Sequence, residues 1–161
     1  MNQIFGGKNI RDEILRQLHL KRAIFQHFTH QETEAHHIAK EVGVAVQEGI
    51  KCLILRGKKS QKNVLVCLLG HQKLDMRAVS TLFGENCEFE KIDTIKERFG
   101  LEVGGIPPFG GLFGLDVYFD ENIQNCKEVI FSCGLLNESV RMKLAELILL
   151  IHPRFAKLAK E

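Results

Sequence analysis

The sequence has no long apolar segment and no large excess of charge of either sign. Its longest apolar run near the C-terminus, Leu147 to Ile151, is far shorter than the roughly 20 apolar residues that a membrane-spanning helix needs. The first seven residues, Met1 to Gly7, lack the apolar centre of a signal peptide. The formal net charge is only +2 over 161 residues. A nucleic-acid partner would therefore have to be bound by a local basic patch, and we expect a cytoplasmic protein with no membrane association.

The sequence also lacks the common patterns of metal and redox sites. It has an odd number of cysteines, five, and no C-x-x-C motif. The seven histidines form no His-Glu-x-x-His motif, and the adjacent His36 and His37 would point about 100° apart on a helix. The sequence therefore predicts a reduced compartment, no metal and no cofactor. Of the histidines, only His30 is kept as a candidate site residue.

The composition is that of one globular domain spanning residues 1–161, with 45% hydrophobic and 26% charged residues. Predicted helices and strands are mixed without a steady βαβ order, which favours an α+β fold. Helices are predicted from Asn9 to about Phe25, from Thr33 to Gly43, over 76–83 between Asp75 and Gly84, over 94–99 after Asp93, over 144–151, and from Pro153 to the end. Strands are predicted over 25–30, 50–55, 64–69, 87–90, 115–119, 129–132 and 139–142.

A glycine- and proline-rich stretch at 103–114 contains five of the 14 glycines and two of the three prolines. It is not a phosphate loop, because no Gly-Lys-Ser/Thr sequence occurs. Gly104 and Gly105 can adopt positive φ or allow a ligand close to the backbone, and Pro107 and Pro108 fix φ and donate no hydrogen bond. Two interpretations remain open: a rigid surface turn, or a pocket wall whose backbone stabilises an oxyanion or holds a water molecule.

Lys51 is the second unusual residue, because it begins an apolar strand. Strand alternation places it on one face with Leu53 and Leu55, while Ile50, Cys52 and Ile54 face the other side. Such a lysine either extends to water at the edge of the sheet or holds an anion. The residues that follow the strand include four cations without an acid among them, which form either a solvated hairpin tip or a nucleic-acid contact: Arg56, Lys58, Lys59 and Lys62.

Cys133 lies between a predicted strand and Gly134, where a nucleophilic thiol could stand. Such a thiol needs a nearby base, and the sequence does not identify one. The alternative is a buried, inert thiol. Both interpretations are kept.

In chain order, these features resemble the YbaK family, also called the prolyl-tRNA-synthetase-associated editing domain. The resemblance runs from about Ile10 to Ala159. It depends on a helical N-terminus and a Thr-Glu-Ala helix at 33–35, followed by a fixed order of motifs. These are Gly-Ile-Lys-Cys-Leu-Ile-Leu at 49–55, Gly-His-Gln-Lys-Leu-Asp at 70–75, Val-Gly-Gly-Ile-Pro-Pro-Phe-Gly at 103–110, Asp-Glu at 120–121, Ser-Cys-Gly at 132–134, and Ser-Val-Arg-Met at 139–142. It implies an α+β fold built on a mixed, barrel-like sheet with flanking helices. It also implies a cytosolic hydrolase that removes a wrong small amino acid from tRNA, most often the tRNA specific for proline, without a metal or cofactor.

The resemblance also implies roles for individual residues. Lys51 would hold the phosphate or terminal adenosine of the tRNA acceptor end. The backbone of the loop would position the ester and the attacking water, so the implied catalytic residues are Lys51, Gly104, Gly105 and Pro108. The implied substrate-binding residues are Ile106, Pro107, Phe109, Gly110, Ser132, Cys133, Gly134 and His30. The implied tRNA-binding residues are Lys51, Arg56, Lys58, Lys59 and Lys62.

The implied partners are aminoacylated tRNA and an aminoacyl-tRNA synthetase. Two other functions stay open on the sequence alone. One is a non-catalytic module that binds the tRNA acceptor end or a nucleotide, and the other is a thiol-dependent hydrolase that uses Cys133.

Overall fold

Two β-sheets and four α-helices make up the part of the chain that the computed structural model describes, residues 3–31 and 49–161. The helices are α1 Gly7–Leu20, α2 Met76–Phe83, α3 Ile92–Phe99 and α4 Leu144–Ile151. The strands are β1 Phe25–Thr29, β2 Ile50–Gly57, β3 Asn63–Leu69, β4 Cys87–Phe89, β5 Val117–Asp120, β6 Glu128–Ser132, β7 Glu138–Lys143 and β8 Arg154–Ala156. The predicted α+β class is confirmed. The helix predicted from Thr33 lies outside the described residues.

The two sheets differ in strand direction. The three-stranded sheet has the order β1-β7-β6 and is antiparallel. The five-stranded sheet has the order β4-β2-β3-β5-β8, with antiparallel pairs around β2 and parallel pairs around β5. A parallel bridge between Gly49 and Ile130 joins the sheets at the start of β2. The described strands form two open sheets, so the barrel-like closure implied by the resemblance stays a prediction.

The β2–β3 hairpin is buried on both faces, which explains its nearly continuous apolar sequence. On one face, Ile50, Cys52 and Ile54 contribute to the larger core, and the fully buried Ile10 and Ile14 of α1 lie in the same cluster. The other face contributes to a smaller core with Leu55, Val66, Leu68, Val79 and Leu158. The alternation predicted along β2 is therefore confirmed.

The predicted helix ends are confirmed for α2, where both capping residues were identified, whereas α1 and α3 begin earlier than predicted. Asp75 accepts a hydrogen bond from the Ala78 amide at the start of α2, and Gly84 ends that helix at a φ of 74°. The predicted Asn9 cap is wrong, because α1 begins two residues earlier and the Asn9 side chain donates to the Phe5 carbonyl. Helix α3 likewise begins before Asp93, which lies in its first turn. Helix α4 has the predicted bounds, although Leu149 on its outer side is exposed.

The predicted C-terminal helix is wrong. Residues Arg154–Ala156 instead form β8, which pairs in parallel with β5. The amides of Leu158 and Ala159 then donate to the buried Asp120 carboxylate. These distant partners satisfy backbone hydrogen-bonding groups that an α-helix would have paired within itself. No helix in the described part of the chain combines the length and apolar character that a bilayer crossing requires.

Candidate active site

Lys51 is anchored at the start of β2 by carbonyl groups of the turn that follows β3. Its ammonium donates to the Gly70 carbonyl at 3.4 Å and also to the Gln72 carbonyl. The side chain is half-buried. Burial lowers the pKa of Lys51, and the nearby positive charge of Lys73 lowers it further. The lysine therefore does not simply extend into bulk water, and its partly desolvated cation can bind an anion.

The glycine- and proline-rich loop is largely buried, which excludes the simple surface turn. Residues 105–110 are buried, while Gly104 is exposed and has a φ of 98°. The Gly104 carbonyl accepts a hydrogen bond of 2.7 Å from the Ser132 hydroxyl. A Cβ on Gly105 would lie 3.1 Å from the backbone carbon of Leu135. The loop therefore packs directly against the connection between β6 and β7.

The side chains of the loop and its exposed backbone have different roles. Ile106 and Phe109 are buried in the larger core, and the Phe109 ring lies 5.8 Å from the Phe131 ring. Gly110 fits closely under Val117, whose side chain would lie 2.7 Å from an added Cβ. These side chains fix the loop from behind. The exposed backbone near Gly104 is the part that a substrate can approach.

The bridge between Gly49 and Ile130 places the two halves of the candidate site side by side. Lys51 follows the bridge by two residues on β2, and Ser132 follows it by two residues on β6, in the same direction. Because Ser132 holds the Gly104 carbonyl, the junction of the two sheets brings the lysine and the loop to one region of the molecule. In the sequence, Lys51 and the loop at 103–110 are separated by at least 52 positions.

Cys133 is unsuited to act as a nucleophile in this structure. Its side chain is fully buried. Burial, together with the negative charge of Glu138, raises the pKa of the Cys133 thiol to about 12. The thiol therefore stays protonated near neutral pH, and a thiol nucleophile needs the thiolate. The next residue, Gly134, has a φ of 120° and packs against the Gly7 carbonyl of α1.

One group of metal-capable side chains occurs among the described residues, and the sequence did not reveal it. Ligand atoms of His27, Cys133 and Glu138 lie within 4.8 Å of one another. Glu138 is already bound on both oxygens, at 2.7 Å by the His27 ring and at 2.7 Å by the Arg11 guanidinium. A metal would have to compete with these contacts and deprotonate a thiol of raised pKa. Local spacing gave no signal because His27 and Glu138 are 111 residues apart.

His30 lies at the end of β1 and is buried. Its ring Nε2 is 2.8 Å from the Ser139 hydroxyl, and its amide donates to the Asn137 carbonyl. These contacts place His30 against the end of the β6–β7 connection that also contacts the loop. Residues 32–48, which follow His30, lie outside the described part of the chain.

The basic segment divides into one paired and three exposed cations. Arg56 forms an ion pair with Glu88 and lies 3.8 Å from Glu90. The Glu85 carboxylate accepts hydrogen bonds from two amides of the hairpin turn and so fixes its shape. The cations on the exposed tip are Lys58, Lys59 and Lys62.

The sequence matches the profile of the family described as "Aminoacyl-tRNA editing domain" over residues 29–150, about three quarters of the chain. The chain belongs to the aminoacyl-tRNA editing domain family. The resemblance to the YbaK type of editing domain is thereby confirmed. The matched residues contain Lys51, the loop at 103–110 and Ser132 to Gly134, whereas all of α1 and all of β8 lie outside them.

Individual relatives agree with this membership. The editing domain is 28% identical over 109 residues to the uncharacterized protein YwhH of Bacillus subtilis, covering 68% of this chain and 69% of that protein. It is 25% identical over 158 residues to the multifunctional Ser/Thr-tRNA deacylase ProXp-y of Escherichia coli K12, covering 95% of each.

Solved structures share the fold. A candidate trans-editing enzyme for prolyl-tRNA synthetase superposes with a TM-score of 0.80 at 23% identity, covering 94% of this chain and 97% of that one. The hypothetical protein APE2540 superposes with a TM-score of 0.81 at 18% identity, covering 92% and 99%. These similarities show that the α+β arrangement of the editing domain is common to proteins of very different sequence.

Proposed function

We propose that this protein is a trans-acting deacylase, a single domain over residues 1–161 that hydrolyses the ester between a small amino acid and a mischarged tRNA. The observation that carries the proposal is the bridge between the two sheets, which sets the strand of Lys51 beside the strand of Ser132, the residue that holds the Gly104 carbonyl. Membership of the editing family and the similarity to a named Ser/Thr-tRNA deacylase support it.

The proposed reaction needs no side-chain nucleophile. Water adds to the ester carbonyl, the bond between the carbonyl carbon and the ribose oxygen breaks, and the proton of the water passes to that oxygen. An aminoacyl ester is already activated, so positioning and electrostatic stabilisation can supply most of the rate enhancement. The raised pKa of the buried Cys133 thiol argues against the thiol-dependent alternative.

Lys51 and the loop have distinct proposed roles. Lys51 holds a phosphate or the terminal adenosine of the acceptor end, as suits a compact point charge. Backbone groups of Gly104 to Pro108 position the ester and the water. The Gly105 amide already donates to the Glu102 carbonyl at 2.9 Å, so Gly105 contributes by fixing the loop. Ser132, Cys133, Gly134 and His30 border the amino-acid pocket.

The proposed partner is aminoacylated tRNA in the cytoplasm, with the tRNA specific for proline first and a synthetase as a further partner. The exposed hairpin lysines Lys58, Lys59 and Lys62 contact the tRNA backbone. Arg56 contributes less than the sequence suggested, because Glu88 already neutralises it.

The test is a deacylation screen of the purified protein against tRNAs mischarged with alanine, cysteine, serine or threonine. We expect hydrolysis of at least one, and near-complete loss of it in Lys51→Ala. Lys96→Ala, which removes an exposed cation from α3, serves as the matched control and should retain the activity. Wild-type rates in Lys51→Ala would overturn the assignment. Binding of aminoacyl-tRNA without hydrolysis would favour the non-catalytic acceptor-end module.

A further inference from the structure

The two carbonyl groups that hold Lys51 belong to one tight turn. The Gln72 amide donates to the Leu69 carbonyl at 3.0 Å, and the Gly70 amide donates to the Gly49 carbonyl at 2.8 Å. The positions of the Gly70 and Gln72 carbonyls therefore depend on how firmly this turn is held. Any group that fixes the turn also fixes the Lys51 ammonium.

The Gln72 side chain ties the turn to two different strands. Its Oε1 accepts from the Leu69 amide at 3.0 Å, at the end of β3. Its Nε2 donates to the Asp120 carboxylate at 3.2 Å, at the end of β5. Gln72 thus uses its backbone carbonyl to hold Lys51 and its side chain to hold the sheet.

Asp120 is the fixed point behind Gln72. It is fully buried, and its two oxygens accept four hydrogen bonds. One oxygen accepts from the Leu158 and Ala159 amides at 2.9 and 3.0 Å, and the other accepts from the Asn122 amide at 3.0 Å and from Gln72. Three donors are rigid backbone amides, so the carboxylate can rotate very little and presents a fixed acceptor to Gln72.

We propose that Asp120, acting through Gln72, is a positioning residue that holds the Lys51 ammonium in place for the deacylation reaction. This inference rests on the proposed function for the role of Lys51. The order of contacts is Asp120 carboxylate, Gln72 side chain, Gln72 carbonyl and Lys51 ammonium. Asp120 itself touches neither substrate nor water in this scheme.

The test uses two variants and a matched control. Asp120→Asn keeps the shape of the side chain but places an amide N–H donor against the N–H donors that bind the carboxylate. Gln72→Met keeps the length of the side chain but removes both of its hydrogen bonds. The control is Glu90→Gln. Glu90 is also a buried carboxylate, accepts from the Asn63 side chain and the Lys91 amide, and lies at the far end of β2 from Lys51. Its substitution creates the same kind of donor conflict.

The primary measurement is made without substrate. Carbon relaxation at Cε of isotopically labelled lysine reports the ordering of the Lys51 side chain, with its signal assigned from Lys51→Arg. We expect the ordering of Lys51 to fall toward that of the exposed Lys59 in both variants and to stay unchanged in Glu90→Gln. We also expect kcat/KM to fall by about tenfold or more in both variants, because a small misplacement of a binding group is costly.

Each outcome is decisive for one proposal. Unchanged Lys51 ordering in folded Gln72→Met would overturn the positioning role even if Asp120→Asn fails to fold. Equal losses of kcat/KM in the variants and in Glu90→Gln would assign Asp120 a structural role only. Loss of ordering in a protein that deacylates none of the tRNAs would overturn the proposed function and leave the Asp120–Gln72–Lys51 contact established.

Discussion

The Lys51 ammonium lies half-buried between two carbonyl groups, and this position affects the pH dependence of any reaction that needs its charge. Burial and the neighbouring Lys73 lower the pKa of Lys51. The cation is therefore lost at a lower pH than in an exposed lysine, whose pKa is about 10.4. We expect kcat/KM, corrected for spontaneous ester hydrolysis, to decline on the alkaline side before that value.

Lys51→Arg tests the origin of the alkaline decline. An arginine stays charged throughout the measurable range, so the decline should disappear even though the absolute rate falls. A decline at the same pH in both proteins would assign it to another group. The comparison needs only rate measurements across a pH series on the tRNA that the protein deacylates.

Gly104 has the unusual backbone on which the loop geometry depends. Its φ of 98° disfavours any other residue, and an added Cβ would lie 3.1 Å from the Leu136 side chain. We expect Gly104→Ala to lower the free energy of unfolding in urea by about 1–2 kcal/mol and to reduce kcat/KM more than that loss of folded protein explains.

Gly111→Ala is the control for this substitution. Gly111 lies in the same glycine-rich stretch, but an added Cβ meets nothing within 4 Å. We expect its stability to stay within about 0.5 kcal/mol of the wild type. Similar losses at both glycines would show that the stretch needs flexibility throughout, and not one specific conformation at Gly104.

Among the elements, the β2–β3 hairpin combines a buried body with an exposed basic tip. We expect the triple variant Lys58→Gln, Lys59→Gln, Lys62→Gln to bind tRNA more weakly. The dependence of log Kd on log salt should also become shallower, by about 0.9 for each phosphate that the hairpin no longer neutralises. A filter-binding series across salt concentrations measures both effects.

The control for the hairpin removes three exposed lysines elsewhere, Lys21, Lys127 and Lys143. It lowers the net charge by the same amount. If the dependence of log Kd on log salt becomes equally shallow in this control, the attraction arises from the net charge of the protein. The hairpin is then not a contact surface.

Local sequence predicts an element well when its ends and partners are also local. Helix α2 has the predicted bounds because Asp75 and Gly84 satisfy its ends within a few residues. The β2–β3 hairpin joins strands that are adjacent in the sequence. The C-terminal segment differs, because β8 pairs with β5 and its apolar residues fill a core built from distant strands. The spacing of its apolar residues is also compatible with a helix, so its tertiary partners alone determine that it forms a strand.

The same distinction applies to the candidate site. Lys51 and the loop at 103–110 could be singled out because each is unusual in its own segment. Asp120 and Gln72 are ordinary residues locally, and their contact spans 48 positions. The pairing of Glu138 with His27 and Arg11 is hidden for the same reason, since those contacts span 111 and 127 positions.

At the scale of the whole molecule, the β2–β3 hairpin separates two cores and carries Lys51 at the point where the two sheets meet. The larger core fixes α1 and the loop against one face. The smaller core fixes α2 and the C-terminal residues against the other face. The C-terminal residues also supply two of the four donors to Asp120, so stability and site geometry share these contacts.

A substitution at Leu158 distinguishes the contribution of side-chain packing to stability from that of the backbone hydrogen bonds to Asp120. Its side chain is fully buried in the smaller core, while its amide binds Asp120 and its carbonyl accepts from the Asp75 amide. Leu158→Ala keeps the backbone groups and removes only side-chain contacts. We expect the free energy of unfolding in urea to fall by about 2–5 kcal/mol, while Lys51 ordering and kcat/KM per folded molecule change little.

Leu149→Ala is the matched control, because Leu149 is 71% exposed on α4. It should change the free energy of unfolding by less than about 0.5 kcal/mol. Equal stability losses in the two variants would contradict the buried position of Leu158. A loss of kcat/KM in folded Leu158→Ala as large as that in Asp120→Asn would mean that packing of the smaller core, and not the Asp120 carboxylate, holds the Lys51 turn.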